Sequence, residues 1–351
     1  MLNTSAGYSQ APEISRAVTE IAKQIRLPEL KLIVFFAGKV YDFAALSRAL
    51  RDSFPGVELI GCTTAGELSR QGFTENSVVA LGIAADDFRP ASAVIRNIHS
   101  IPMLYRREVE KTVRRSGLDP ADPNCSKQGF GLLLIGGSAG DGLDFKKTLV
   151  CLNGTVYNDA AVITFVKTSK KIYLHKEDIF RTTEKSLTVT KANIRERRVY
   201  EFDHRPAASA YAAALGISET ELPKYFIRNP LGRRIGNRIW TASPFQVQAD
   251  KSIIFYSQIF PGALVDILDP VDVVAKTRES VRIIKEKIPN LKAVLAINCI
   301  LRTLQFKDQD QCGKVGAVLA ELGQIIGFSS YGEQLGKMQL NQTLVLLALG
   351  E

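Results

Sequence analysis

The chain has 351 residues, 46% of them hydrophobic and 23% charged, with a formal net charge of +9. That length and balance suit a soluble globular protein of about two domains with real cores. No apolar run approaches the roughly 20 residues a membrane helix needs, and "MLNTSAGYSQAPEISRAV" lacks the basic-then-apolar order of a secretory signal.

In chain order, residues 12–27 space Ile14, Val18, Ile21 and Ile25 by three and four, which predicts an amphipathic helix. "LKLIVFFAG" (30–38) predicts a buried strand, and "DFAALSRALRDSF" (42–54) a helix with Asp42 at its N-cap. "VELIG" predicts the next strand, and after a turn "SVVALGIAA" (77–85) predicts a third. Residues 106–117 predict a helix and 118–129 a loop, while the apolar "FGLLLI" (130–135) runs straight into "GGSAGDG". "FKKTLVCLNGTVYNDAAVITFV" predicts two strands around an Asn-Gly hairpin. "RVYEFDHRPAASAYAAALGI" predicts a strand, a proline-marked turn and a helix. "ADKSIIFYSQIFPGALVDIL" predicts two strands around Pro261-Gly262, and residues 270–288 an amphipathic helix. The C-terminal end reads as a strand (291–299), a helix (314–323), the strand "QIIG", a turn and a strand (343–350).

The turns repeat. "LIGCTTAGEL" (59–68) returns as "IIGFSSYGEQL" (325–335), and a shortened version, "LIGGSAGDGL", sits at 134–143. The flanking elements recur in the same order, so the repeat is a strand–helix–strand–turn–strand unit. The fold class that follows is α/β, with two pseudo-symmetric mixed-sheet domains built from such units. Ahead of Gly136 the strand and helix of a third unit are missing from the pattern, which predicts an exposed sheet edge or a loose covering loop at 118–130.

A glycine-rich turn after a strand exposes backbone N–H groups suited to an anion such as a carboxylate. Thr63, Thr64, Ser329 and Ser330 add hydroxyls, and Glu67 and Glu333 supply acceptors for an ammonium group. A zwitterion needs both kinds of group in one cleft, and such clefts form where strands of an open sheet end. The same turns also serve pure chain reversal, with hydroxyls capping their own backbone. In "INCILR", Arg302 suits a bidentate carboxylate clamp or a pair with a neighbouring glutamate. The ligand-binding set is then Thr63, Thr64, Glu67, Ser138, Asp141, Cys299, Arg302, Ser329, Ser330, Tyr331 and Glu333.

Other chemistry finds less footing. The five cysteines (Cys62, Cys125, Cys151, Cys299 and Cys312) form no CxxC pair, which points to reduced thiols in the cytoplasm. Cys62 and Cys299 read as small buried residues; a thiol-dependent hydrolase built on either lacks a histidine in any shared motif. The phosphate-loop and dinucleotide spacings are absent, and the scattered basic residues accompany no nucleic-acid motif. Trp240 suits core or an apolar pocket wall.

Taken together, "IGCTTAGEL", "GGSAGDGLDFKKT", "LNGTVYNDAAVI", "VYEFDHRPAASAYAAALG", "NPLG", "FPGALVDIL", "INCILR" and "GFSSYGEQLGKMQLNQT" resemble the FIST family of paired FIST N and FIST C sensory domains, from about Leu30 to Glu351. The resemblance implies a bacterial cytoplasmic input module that binds a small ligand, such as an amino acid, and reports to a histidine kinase, cyclase or chemoreceptor. It divides the chain into an N-terminal helical extension (1–27), a FIST N-like domain (28–202) and a FIST C-like domain (203–351). No output domain is expected beyond the last strand, and signalling is expected through a separate protein, with no nucleic acid and no membrane insertion. Some relatives bind haem and sense nitric oxide. Here Gln339 and Leu340 stand where relatives often carry histidine, and His99, His175 and His204 read as exposed or singly hydrogen-bonded, so no cofactor is expected.

Overall fold

Residues 1–98, 105–118, 135–235, 238–336 and 338–351 are described by the computed structural model. The first repeat begins earlier than its hydrophobic pattern suggests. Its elements are β1 (Asn3–Ser9), α1 (Ile14–Ile25), β2 (Leu32–Ala37), α2 (Phe43–Ser53), β3 (Glu58–Thr63), β4 (Glu67–Ser69), β5 (Gly72–Thr74) and β6 (Val78–Ala84). The Asp42 carboxylate starts α2 by accepting from the amides of Ala44 and Ala45 at 2.9 and 3.0 Å. In the sheet, β2 and β3 are parallel, β6 is antiparallel to β2, and β1 pairs outside β6. The N-terminal extension is therefore not helical alone: its first residues form the edge strand.

The connecting region holds β7 (Arg89–Arg96), α3 (Arg106–Arg115), β8 (Ile135–Gly137), β9 (Val150–Leu152), β10 (Thr155–Tyr157) and β11 (Ala160–Lys167). The Asn-Gly hairpin forms as expected between β9 and β10, with Asn153 and Gly154 both at positive φ. This hairpin extends the first sheet beyond β3. The expected loop at 118–130 lies, from residue 119 on, outside the described residues.

The second repeat opens with β12 (Lys171–Asp178) and is then interrupted. An inserted unit follows: β13 (Phe180–Asn193), β14 (Arg198–Phe202), β15 (Arg205–Pro206), α4 (Ala207–Leu215), α5 (Leu222–Tyr225), β16 (Leu231–Ile235), β17 (Arg238–Ala242), β18 (Pro244–Val247), β19 (Ile253–Phe255) and β20 (Leu264–Pro270). The repeat resumes with α6 (Val273–Lys287), β21 (Leu291–Cys299), α7 (Ile300–Asp308), α8 (Cys312–Ala320), β22 (Ile325–Ser330), β23 (Glu333–Leu335), β24 (Met338–Leu340) and β25 (Thr343–Gly350). Its sheet order, β12-β25-β21-β22, reproduces β1-β6-β2-β3, with the same parallel and antiparallel pairings. Gly61 lies opposite Phe35 and Gly327 opposite Ala296. A Cβ at either glycine would collide with the carbonyl of its partner, so the repeated glycine marks one close approach made twice.

The two sheets pack face to face, and helices cover both outer faces. Strand alternation divides the side chains: Leu32, Val34 and Phe36 point inward, while Ile33, Phe35 and Ala37 point to the helices. The inner layer joins Val34, Phe36, Val79 and Leu81 to Ala293, Ile297, Ile326 and Phe328, with the Phe36 and Phe328 rings 4.5 Å apart. Helices α1 and α2 cover the first sheet, and α6 and α8 the second. The inserted unit has its own core, around Val189, Phe202, Tyr211, Phe255 and Ile267. The result is the expected mixed α/β fold, as a four-layer αββα sandwich with one inserted β-rich unit.

Candidate functional site

The two long turns carry the same hydrogen bonds. After β3, the Thr64 hydroxyl donates to Glu67 Oε1, while Glu67 Oε2 accepts from the Ser77 amide at 3.0 Å and hydroxyl at 2.7 Å. After β22, the Ser330 hydroxyl donates to Glu333 Oε1 at 2.6 Å, and Glu333 Oε2 accepts from the Thr343 hydroxyl at 2.9 Å. Gly66 and Gly332 take positive φ between hydroxyl and carboxylate, which lets the chain fold back onto itself. Each glutamate is thus a clamp that ties the turn to the start of the repeat's last strand. Both carboxyls are fully buried. Burial pushes Glu67 up and takes Glu333 to about 7 against the lowering effect of these hydrogen bonds.

All three turns come together. The first and second join through Ala65 N–H to Ser329 O (3.1 Å) and Ser329 N–H to Gly66 O (2.7 Å), and β4 adds to β22 as an antiparallel strand. The hairpin of the first repeat therefore belongs to the second sheet. The shortened turn bridges them: Gly140 and Gly142 donate to Thr63 O and Thr64 O, Ser138 donates to Gly332 O, and β8 pairs with β23. Asp141 accepts from the amides of Phe145, Lys146 and Lys147 and from the Tyr331 hydroxyl at 2.6 Å. Burial opposes charge on Asp141, but Tyr331 and these amides prevail and hold the carboxyl below its ordinary value. Burial and the bond to Asp141 push the Tyr331 phenol up to about 12.

Arg302, at the start of α7, meets a glutamate of its own chain. Its guanidinium pairs with Glu177 of β12, and neither side chain is exposed. Nε donates to Asn298 Oδ1 at 2.9 Å, Asn298 donates to Thr303, and Thr303 reaches the Ser329 hydroxyl at 2.9 Å. A buried polar chain thus runs from the edge strand of the second sheet to the turns. Of the residues expected to touch ligand, only Ser138 and Tyr331 are partly exposed; Thr63, Thr64, Glu67, Asp141, Cys299, Arg302, Ser329, Ser330 and Glu333 are buried. The Tyr331 ring stacks on the exposed Phe145 at 4.8 Å and forms the seam's outer rim.

The thiols of Cys62 and Cys299 are buried, and burial pushes both pKa values up, which disfavours a thiolate. Cys125 and His99 lie outside the described residues. His204 sits exposed in a turn at positive φ, and desolvation lowers the pKa of the half-buried His175. Among the described residues no group of three or more His, Cys, Asp and Glu could hold a metal, and no helix is long and apolar enough to cross a membrane.

Residues 31–205 match the FIST N domain and residues 207–335 the FIST C domain. The chain belongs to the FIST family. FIST domains are sensory domains of signal-transduction proteins, which makes this FIST chain a sensory module. No curated protein matches it. Among solved structures, Thermotoga maritima PurL complexed with AMPPCP aligns at 10% identity and a TM-score of 0.25, over 99% of this chain and 72% of that one. The same protein with ATP aligns at 10% identity and a TM-score of 0.24, over 99% and 71%. Likeness that slight carries nothing about the FIST chain's fold or activity. At the site, two features escaped the sequence reading: Glu177 as partner of Arg302, and the exchange of the β4–β5 hairpin into the second sheet. Glu177 sits in "LHKED" among other charges, and nothing in that string marks it as buried.

Proposed function

We propose that this FIST chain is a binding module rather than an enzyme, sensing a small polar ligand such as an amino acid in the bacterial cytoplasm. It reports by contact to a separate protein such as a histidine kinase, cyclase or chemoreceptor. The observation that supports this reading is the convergence of three hydroxyl-rich turns on the seam where the two repeats exchange backbone hydrogen bonds. A ligand at the rim, against the Ser138 hydroxyl and the Tyr331 ring, would act on both sheets at once. The buried glutamates and Arg302 then shape the seam rather than touch the ligand.

A thermal-shift screen of amino acids on the whole chain tests this, because a ligand selective for the native state raises the melting temperature. Titration calorimetry with the best hit should show about a tenfold or greater loss of affinity in Ser138→Ala. Affinity unchanged in that variant would move the ligand away from the rim.

A further inference from the structure

The inserted unit meets the sandwich at two strand crossings that run side by side. One leads from β12 into β13, the other from β20 into α6. Val271 N–H donates to Ile179 O at 2.9 Å, and Phe180 and Arg181 lie opposite Pro270 and Asp269. A cavity of about 390 Å³ opens at this double crossing, lined by Arg181, Tyr225, Arg228, Asn229, Asp269 and Pro270. It shares no residue with the seam of the turns.

Its wall is fixed from behind. Asn229 is 8% exposed, and its amide donates to Leu268 O at 3.1 Å and to Asp269 Oδ1 at 2.8 Å. The Asn229 backbone amide donates to Tyr225 O at 2.7 Å, and its carbonyl accepts from the buried Tyr211 hydroxyl. These bonds hold the segment carrying Tyr225 and Arg228 against the end of β20, and so against Arg181.

The charges of the pocket are unbalanced. Arg181 and Arg228 are both exposed, and among the described residues neither guanidinium makes a hydrogen bond or ion pair. The one carboxylate in the wall, Asp269, accepts from the neutral Asn229 and keeps its charge, so the wall stays positive by one charge, two arginines against one aspartate. The neighbouring cavity of about 510 Å³ is different, because its charges are matched: Lys176 pairs with Asp178 at 2.8 Å and Lys276 with Glu279 at 2.9 Å. Two cations in one concavity repel each other and focus a positive potential there. A carboxylate or phosphate relieves that repulsion by accepting from the guanidinium N–H donors, and the volume leaves room for the rest of a small organic molecule.

We propose that this pocket is a second ligand site of the FIST chain, binding a small molecule through a carboxylate or phosphate group held between Arg181 and Arg228. Tyr225 offers its ring to the rest of the ligand. All of its lining residues belong to the inserted unit, so occupancy braces the segment carrying Tyr225 and Arg228 against β13 and the end of β20.

The test is titration calorimetry of the whole chain with inorganic phosphate and, separately, with succinate, at matched ionic strength. The expected result is saturable one-to-one binding of at least one of them; which one saturates assigns phosphate or carboxylate. Arg181→Gln and Arg228→Gln should each weaken it by tenfold or more while leaving the melting temperature of the free protein unchanged. No saturation by either anion, or affinity unchanged in the double variant, overturns the site.

Discussion

At the scale of single residues, the buried charges bear first on stability. Arg302 and Glu177 neutralise each other inside the second half, and removing one partner strands the other without water. Arg302→Met should therefore cost about 3–5 kcal/mol in urea denaturation, while the double change with Glu177→Met should recover much of that loss. A double variant no better than the single would mean that Arg302 works through some other contact. Glu333 yields a prediction in pH. Burial takes its pKa to about 7 in the fold, above the ordinary 4.5, so the native state keeps a proton that the unfolded chain has already lost. Stability from this group is therefore full below about pH 4.5 and is lost as pH rises through about 7, a change on the order of 3 kcal/mol. Glu333→Gln removes the titration while keeping the shape. Denaturation at pH 5, 6, 7 and 8 should show the unsubstituted protein losing ground to the variant as pH rises. A difference that stays flat across the series would show that Glu333 is ionised in the fold throughout.

At the scale of elements, the exchanged hairpin carries the largest consequence. Leu68 of β4 is fully buried in the core of the second half, among Phe306, Val315 and Leu319, with Phe73 of β5 packed against the same cluster. Leu68→Ala should cost about 2–5 kcal/mol, and the loss should appear in a single unfolding transition of the whole chain, measured by tryptophan fluorescence and circular dichroism together. Two separated transitions would mean that the hairpin is a passive cover. The sequence made the repeat visible because identical close approaches demand identical glycines, and because β2, β6, β21 and β25 are long apolar runs. It hid β1, whose small and polar residues have weak strand preference and are placed by pairing with β6. It also hid β13, whose "TTEKS" stretch is polar and largely exposed where the pairing is irregular, between Thr182 and Ser186. Helix α7 escaped because it starts directly at the end of β21, with Cys299 at the N-cap making no side-chain capping bond. The site was legible in part. Hydroxyl and carboxylate in the turns were seen, but whether they face a ligand or each other depends on a fold-back through Gly66 and Gly332 that spacing alone does not decide.

At the scale of the whole molecule, strands pair across the boundary of the two family domains, which predicts that neither is a folding unit by itself. The boundary near residue 206 cuts β13 and β14 from β20 and β19, and β12 from β25. It also takes β4 from β22 and separates the facing apolar layers of the two sheets. A fragment of residues 1–206 would expose Leu32, Val34, Phe36 and Leu81 to water and leave β4–β5 with no sheet to join. A fragment of residues 207–351 would carry unpaired edges at both β25 and β22 around a sheet with one bare face. Open apolar edges of that kind associate rather than stay folded. Neither fragment alone should show a cooperative thermal transition, whereas mixing the two during refolding should restore one, read by circular dichroism and gel filtration. If 1–206 or 207–351 melts cooperatively by itself as a monomer, the interlocked architecture is not what holds the protein together. A ligand at the seam would then act on one domain only, because coupling across the sandwich requires that the two halves share their strands.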